Sequence, residues 1–183
     1  MNDAIDAACE ALARGAIVAY PTEGVFGLGC NPASEAALER LLALKGRPAH
    51  KGLILIADRF EAITPWLAPI PETMWARIAP TWPGPVTWLL PVAPGVSRLV
   101  CGDHDTLAVR VTAHADAAAL CRAWGGPLVS TSANRADEAP ARSADAVAEA
   151  FADGVDVVVD APIGGRTEAT PIIDARTGAY LRS

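Results

Sequence analysis

Four cations occupy positions from which they could bind an anion. Three of them, Lys45, Arg47 and Lys51, fall within seven positions, and the apolar run GLILIA at 52–57 follows at once. We predict that the preceding helix has ended before this segment and that Pro48 restrains the chain. The three cations are then placed to meet an anion such as a triphosphate. The alternative is that they complement the dipole at the helix end, a common role of lysines and arginines.

The fourth cation, Arg110, interrupts the apolar strand pattern TLAVRV at 106–111. Side chains alternate between the two faces of a strand, so Arg110 shares a face with Ala108, opposite the bulkier apolar residues. A guanidinium on a strand lies either on a solvated face or in a cleft. Both alternatives are open from the sequence; in a cleft, the rigid strand would hold the charge in place.

The segment YPTEGVFGLGC at 20–30 is another candidate. Its three glycines, Gly24, Gly27 and Gly29, allow the backbone to approach a ligand closely and leave N–H groups unshielded. The spacing GxxGxG matches neither the dinucleotide-binding fingerprint nor the P-loop. We therefore predict a loop here, either an ordinary tight turn or part of a ligand site.

A polar cluster ends the segment PLVSTSAN at 127–134, where Ser130, Thr131, Ser132 and Asn134 follow a short strand. No GxSxG motif surrounds these serines, which argues against a hydrolase nucleophile. Hydroxyls and an amide at the end of a strand suit hydrogen bonding to a nucleotide or an amino acid. The alternative is a helix cap or a Ser/Thr turn.

Helices and strands are predicted to alternate along the chain. Helices are predicted at 4–14, from the N-cap Ser34 to about residue 44, over 58–82, at about 114–124, and from the N-cap Ser143 to about residue 151. Strands are predicted at 16–20, 52–57, 106–111, 127–129, 155–160, 171–175 and the C-terminus, and the segment 82–91 is predicted to be a Pro-Gly turn followed by a strand. This alternation indicates an α/β or α+β sandwich with a mixed sheet, in one domain over 1–183.

Composition narrows the function classes. The chain has 183 residues, is 51% hydrophobic and carries a net charge of −6, which argues against a surface that grips nucleic acid throughout. Its four cysteines form no CxxC, so we expect neither a zinc site nor a disulfide scaffold, and a reducing cytoplasm as the location. No signal peptide and no membrane-spanning apolar run are predicted.

Six motifs in order carry a resemblance to a known family. They are YPTEGVFGLGC, LKGRPAHKGLILIA, WPGPVT, LAVRVTAH, LVSTSAN and TPIIDARTGAYLR. In this order and at these intervals the chain resembles the YrdC/Sua-type family and, more narrowly, its short bacterial TsaC form, over nearly its whole length. The resemblance implies a single YrdC-like domain, with a twisted mixed β-sheet flanked by helices around a basic cavity.

The resemblance also implies an activity. Members of this kind are threonylcarbamoyl-adenylate synthases, which are nucleotidyltransferases. They combine L-threonine, bicarbonate and ATP into L-threonylcarbamoyladenylate, releasing pyrophosphate and water. The product supplies the threonylcarbamoyl group for the adenosine beside the anticodon in tRNAs reading ANN codons, and a separate complex makes the transfer. The resemblance implies Mg²⁺ with the ATP, and direct weak contact with tRNA is an open expectation.

Site residues follow from the same resemblance, position by position. The residues implied to carry catalysis are Lys45, Arg47, Lys51 and Arg110. Those implied to bind threonine are Thr22, Arg110, Ser130 and Thr170. Those implied to bind ATP are Lys45, Arg47, Lys51, Ser132, Asn134, Arg142 and Arg182, and no protein ligand to a metal is expected. The segment RADE at 135–138 differs from the sequence that many relatives carry at these positions, and the difference bears on the geometry of the loop after Asn134.

Two other function classes stay open. One is a non-catalytic RNA- or tRNA-binding module of the same fold. The net negative charge of the chain and the lack of a stripe of alternating aromatic and basic residues argue against it. The other is an unrelated adenylate-forming or carbamoyl-transferring enzyme with a different acceptor. Neither explains why the motifs occur together in this order.

Overall fold

The computed structural model describes residues 3–135, 138–167 and 170–182. The α-helices are α1 (Asp3–Ala13), α2 (Glu35–Lys45), α3 (Glu72–Ile78), α4 (Arg98–Cys101), α5 (Ala115–Trp124) and α6 (Ala144–Ala150). The strands are β1 (Val18–Pro21), β2 (Phe26–Gly29), β3 (Ile54–Ala57), β4 (Thr87–Pro91), β5 (Thr106–Val111), β6 (Leu128–Ser132), β7 (Val157–Val158), β8 (Ile172–Asp174) and β9 (Tyr180–Arg182). None of the described helices is both long and apolar enough to cross a membrane.

Within the described ranges the nine strands form one mixed sheet. Their order is β7-β1-β2-β6-β3-β5-β4-β8-β9. The pairs β1–β7, β3–β5 and β4–β8 are parallel, whereas the other neighbours are antiparallel. This arrangement confirms the predicted fold class, a mixed α/β sheet flanked by helices.

Two apolar cores lie on opposite faces of the sheet. Strand β3 shows the alternation: Leu55 and Ala57 belong to the larger core, whereas Ile56 belongs to the smaller one. Helices α2, α4 and α6 contribute to the larger core, and α1 and α5 to the smaller. Because α1 and α5 cover only part of their face, the remainder is free to form the floor of a cavity.

The helix boundaries follow from capping residues. Ser34 accepts a hydrogen bond from the backbone of Ala37 and caps α2, as predicted. Gly46 ends the same helix with a φ of 59°, a left-handed conformation that glycine adopts without strain. Ser143 caps α6 by accepting from the backbone of Ala146, which confirms the second predicted N-cap.

The prediction of a loop throughout 20–30 is wrong. Strands β1 and β2 form an antiparallel hairpin in which Val18 pairs with Gly29, so Gly27 and Gly29 are strand residues. Glycine is required at 29 for space, because a Cβ there would lie 2.5 Å from the carbonyl oxygen of Val129. Thus the close approach that the glycines permit is between neighbouring strands of the protein.

Two further predictions need correction. Most of 58–82 is not α-helical: it contains short 3₁₀ turns and the two-turn helix α3, because prolines at 65, 69, 71 and 80 interrupt it. The helix α2 was also predicted to end before the cation cluster. It includes Lys45, since the left-handed cap that stops it is the next residue, Gly46.

Candidate active site

A cavity of about 660 Å³ lies on the face of the sheet that α1 and α5 leave partly uncovered. Its apolar floor comes from inner strands, through Ile54 of β3, Leu89 of β4, Ala108 of β5 and Ile172 of β8. The polar and charged groups come both from strands, namely β5, β6 and β9, and from the loops that connect the elements. The sheet therefore carries the floor and part of the groups able to bind a ligand, and loops carry the others.

The cavity brings together most of the residues singled out in the sequence. Those that line it are Thr22, Arg47, Lys51, Arg110, Ser130, Ser132, Arg142, Thr170 and Arg182. Two are placed elsewhere: Lys45 and Asn134 lie behind the wall and contact it. The roles of all these residues remain predictions.

Arg110 points into the cavity, not toward solvent. Only 4% of the residue is exposed, and Ala108, two positions before it, lines the same cavity. Its Nη1 donates to the hydroxyl of Thr170 at 3.0 Å and to that of Thr87 at 3.3 Å. Its Nη2 lies 3.4 Å from a carboxylate oxygen of Glu23. The sheet thus presents a guanidinium of fixed position to a ligand.

The lining is strongly basic although the whole chain is acidic. Five of the 15 Lys and Arg residues line the cavity, and no Asp or Glu does so in the described part of the chain. The pKa of Arg182 is lowered first by burial and then by the charges of Arg110 and Arg47. Cations that repel one another in this way create a site for an anion with several charges.

The loop after α2 is held in shape by Arg47. Its Nε and Nη2 donate to the carbonyl oxygen of Gly52 at 3.1 and 2.9 Å. Gly52 has a φ of 64°, and a Cβ there would lie 3.0 Å from the carbonyl oxygen of Cys101. By contrast, the ammonium of Lys51 has no hydrogen-bond or ion-pair partner in the described ranges. The Lys51 ammonium therefore lines the cavity without a hydrogen-bond acceptor in the described part of the chain.

Lys45 is a buried cation under the segment that follows β6. Its Nζ donates to the carbonyl oxygens of Ser132 and Asn134, the latter at 2.7 Å. Burial, and to a smaller extent the charge of Arg47, lowers the pKa of Lys45 to about 8. In this arrangement Lys45 fixes the polar segment 132–134 instead of facing the cavity.

The side chain of Asn134 also acts within its own loop. Its Oδ1 accepts a hydrogen bond from the hydroxyl of Ser132, and its Nδ2 donates to the carbonyls of Arg135 and Glu138. Of the unusual segment RADE, residues 136 and 137 lie outside the described residues. The amide therefore closes a turn, which leaves Ser132 as the member of this pair that lines the cavity.

Sequence reasoning missed several groups around the cavity. Glu23 and Thr112 lie behind Arg110, and Thr87 contacts its Nη1. His104 also lines the wall. One signal was available for Thr87, because it stands in a strand where a polar residue would share a face with the floor residue Leu89. No local pattern indicates the contact of Glu23 with Arg110, because they are 87 positions apart.

The buried charge of Lys45 predicts a pH-dependent stability. The pKa falls from 10.5 to about 8 on folding, so unfolding takes up a proton between these pH values. The contribution of Lys45 to stability is therefore complete above pH 10.5 and is lost as the pH falls to about 8. Between these limits, the unfolding free energy of the wild type should rise relative to that of Lys45→Met by about 1.4 kcal/mol per pH unit.

Urea denaturation of both proteins at pH 7.5 and 9.5 measures this difference. Comparison with Lys45→Met is necessary because burial raises the pKa of Cys30 to about 12, which lowers stability at alkaline pH in both proteins. A difference that does not change with pH would contradict the prediction.

Comparison with known proteins identifies the family. The family model Sua5_yciO_yrdC, described as telomere recombination, matches residues 10–183. The chain belongs to the Sua5/YciO/YrdC family. A protein of Xanthomonas campestris pv. campestris named threonylcarbamoyl-AMP synthase is 51% identical over 180 residues, which cover 97% of this chain and 96% of that protein. One of the same name from Halorhodospira halophila is 53% identical over 171 residues, covering 93% and 90%.

Solved structures of the Sua5/YciO/YrdC family share the fold. P. abyssi Sua5 complexed with L-threonine superposes with a TM-score of 0.90 at 34% identity, over 97% of this chain. This chain spans 53% of that longer protein. E. coli YciO superposes with a TM-score of 0.87 at 23% identity, over 100% of this chain and 90% of its own length. The resemblance to the YrdC/Sua-type family is thereby confirmed.

Proposed function

We propose that the chain is a threonylcarbamoyl-AMP synthase, which converts L-threonine, bicarbonate and ATP into L-threonylcarbamoyladenylate, pyrophosphate and water. The observation that carries this conclusion is identity of 51–53% with proteins of that name over at least 90% of their length. P. abyssi Sua5, whose structure contains L-threonine, shares the fold at 34% identity. The names of these relatives confirm the predicted activity and enzyme class.

The threonine site of the proposal lies at Arg110. A guanidinium matches a carboxylate in shape and charge, and this one is held on a rigid strand. The hydroxyls of Thr22, Ser130 and Thr170 line the same cavity and are able to bind the polar groups of a small amino acid. The Thr22 hydroxyl donates to the carbonyl of Val25 at 2.7 Å, so its oxygen is left to accept.

The ATP site of the proposal uses the other cations of the lining. Lys51 and Arg47 stand on the loop after α2, and Arg142 and Arg182 enter from later segments. We propose that they bind the phosphates, with Ser132 beside them. Lys45 and Asn134 contribute to this site through the shape of the segment that carries Ser132.

The chemistry requires two anions to meet. The threonine amine and bicarbonate-derived CO₂ form a carbamate with loss of a proton, and a carbamate oxygen attacks the α-phosphorus of ATP. Bicarbonate takes up one proton and releases water as it gives CO₂, and carbamate formation returns that proton. A bond from the carbamate oxygen to the α-phosphorus then forms as the bond from that phosphorus to pyrophosphate breaks. Cations that neutralise both reactants lower the barrier, and positioning supplies the remaining rate. The described lining contains no carboxylate that could act as a general base.

Mg²⁺ is proposed to enter with ATP. The described residues include no group of three His, Cys, Asp or Glu side chains suited to hold a metal ion, and those lining the cavity include no carboxylate. Mg²⁺ is commonly held by substrate phosphates and water with few protein ligands. The lining therefore fits a metal that is bound through the nucleotide.

The remaining partners are proposed from the same family. The product would pass to a complex that transfers the threonylcarbamoyl group to tRNA, in the cytoplasm. Four free cysteines are compatible with that compartment. The RNA-binding module is not favoured, because the cations are gathered in a cavity of small-molecule size instead of along an extended surface.

Pyrophosphate release by the purified protein tests the proposed function. The assay contains ATP and Mg²⁺, with L-threonine and bicarbonate omitted in turn, and mass spectrometry detects the adenylate. We expect release to require both substrates and the product mass to be that of threonylcarbamoyl-AMP. Replacement of L-threonine by L-serine or L-valine is the control for an enzyme with another acceptor. Untouched ATP under every combination would contradict the proposal.

A further inference from the structure

Glu23 is a buried carboxylate that lies behind Arg110. Its neighbours Thr22 and Gly24 line the cavity, whereas Glu23 does not. The side chain of Glu23 is 9% exposed and that of Arg110 is 5% exposed. Oε2 of Glu23 lies 3.4 Å from Nη2 of Arg110. Charges interact more strongly in such a buried site than at the surface, so each must strongly influence the other.

The contact between the two charges is incomplete. Within the described ranges, Oε2 of Glu23 and Nε of Arg110 have no hydrogen-bond partner. A charge-assisted hydrogen bond is usually about 2.7–2.9 Å long, shorter than the separation found here. Nη1 of Arg110 is satisfied by the hydroxyls of Thr87 and Thr170. Nη2 of Arg110 makes no hydrogen bond within the described ranges and is left to donate to a ligand, while the charge of the guanidinium is already partly balanced.

Both the side chain and the backbone of Glu23 are held by hydrogen bonds. Its Oε1 accepts a hydrogen bond of 2.7 Å from the hydroxyl of Thr112. Its backbone carbonyl accepts from the N–H of Arg166 at 3.1 Å, and the carbonyl of Thr22 accepts from the N–H of Gly164 at 2.8 Å. A carboxylate fixed in this way is able to fix the guanidinium beside it.

We propose that Glu23 is a positioning residue: it holds the Arg110 guanidinium in the orientation that receives the carboxylate of the amino-acid substrate. Without the negative charge, the buried guanidinium would be uncompensated in the empty site and would turn toward other acceptors. Binding would then have to restore its orientation, which lowers affinity. Glu23 acts through Arg110, and the inference rests on the proposed function.

Two roles of Glu23 predict opposite effects on substrate binding. If Glu23 only neutralised Arg110, its removal would strengthen the attraction between the guanidinium and the substrate carboxylate. If Glu23 positions Arg110, its removal weakens that contact. The direction of the change in threonine affinity therefore distinguishes positioning from simple neutralisation.

Glu23→Gln is the first test, because it keeps the size of the side chain and removes its charge. We expect the KM for threonine and the Kd from calorimetry to rise about tenfold, while kcat and the KM for ATP change by less than about threefold. A purely structural role would lower stability and leave the threonine KM of the folded protein unchanged. An unchanged or lower threonine KM would overturn the proposal.

Thr112 provides a second pair of variants that leaves both charges in place. Thr112→Val removes the hydrogen bond to Glu23, and we expect a rise of about threefold in the threonine KM. Thr112→Ser keeps the hydroxyl and should match the wild type. This pair decides the question if Glu23→Gln does not fold, and equal threonine KM values for the two would refute the positioning role.

Failure of this inference is distinguishable from failure of the proposed function. If wild-type pyrophosphate release does not depend on threonine, the proposed function is wrong. If the wild type depends on threonine and neither Glu23→Gln nor Thr112→Val raises its KM, only the positioning role is wrong.

Discussion

Replacing Arg110 with Lys should lower kcat/KM for threonine by about a hundredfold to a thousandfold. Lysine keeps a positive charge opposite Glu23 but lacks the planar fork that meets a carboxylate at two points. Loss of two hydrogen bonds to a charged group would cost about 3–6 kcal/mol, and the charge and donor that lysine keeps hold the expected change to the lower part of that range. Steady-state pyrophosphate release with varied threonine measures it.

The conservative variant is preferable to Arg110→Ala. Removing the guanidinium altogether leaves the buried carboxylate of Glu23 without a countercharge, a change that costs about 3–5 kcal/mol of stability in comparable cases. Arg110→Ala should abolish turnover with threonine, but through lost stability as well as lost binding. Arg176→Lys is the matched control, since Arg176 pairs with Asp105 in an exposed ion pair. A threonine kcat/KM for Arg110→Lys within threefold of the wild type would exclude Arg110 from the site.

Replacing Lys51 with Ala should lower kcat/KM for ATP by about tenfold to a hundredfold, with little change in stability. The ammonium has no partner within the described ranges, so its removal breaks no internal contact. A hydrogen bond between an ammonium and a phosphate is charge-assisted and contributes about 1.5–3 kcal/mol. Pyrophosphate release with varied ATP at saturating threonine measures the loss.

His50→Ala is the control for Lys51→Ala. His50 precedes Lys51 in the same 3₁₀ turn, is exposed and does not line the cavity. We expect its removal to leave the kinetics for ATP unchanged. An equal loss in both variants would show that the turn, and not the Lys51 charge, matters for ATP.

The sequence predicted the parts of the site that depend on local pattern. Alternation along β5 placed Arg110 on the face opposite the bulky apolar residues. The sequence left open whether that face is solvated or forms a cleft. In the structure β5 is an inner strand between β3 and β4, and Arg110 points into the cavity. Ser34 and Ser143 were identifiable as caps because capping depends on a few adjacent residues. The family and activity followed from six ordered motifs and are confirmed by the relatives.

Other features depend on contacts between distant segments. Lys45 was grouped with Arg47 and Lys51 because the three are close in sequence. However, Lys45 lies at the buried end of α2, and one residue separates it from the loop that carries Arg47. The hydrogen-bond partners of Lys45 lie 87 and 89 positions away in the sequence. The glycines at 27 and 29 were assigned to a loop because glycine allows unusual backbone conformations and a close approach of the backbone to a ligand. Their requirement for space arises only when β2 packs beside Tyr20 and β6.

The basic cavity in an acidic protein has a consequence for ligand size. At distances beyond a Debye length, about 8 Å at physiological ionic strength, an approaching molecule experiences little of the local charge. A long polyanion must lie across the acidic exterior, so most of its phosphates meet repulsion. A compact anion that enters the cavity meets five cations and no carboxylate of the described lining. The distribution of charge, separately from shape, therefore favours free nucleotides over nucleic acid at this opening.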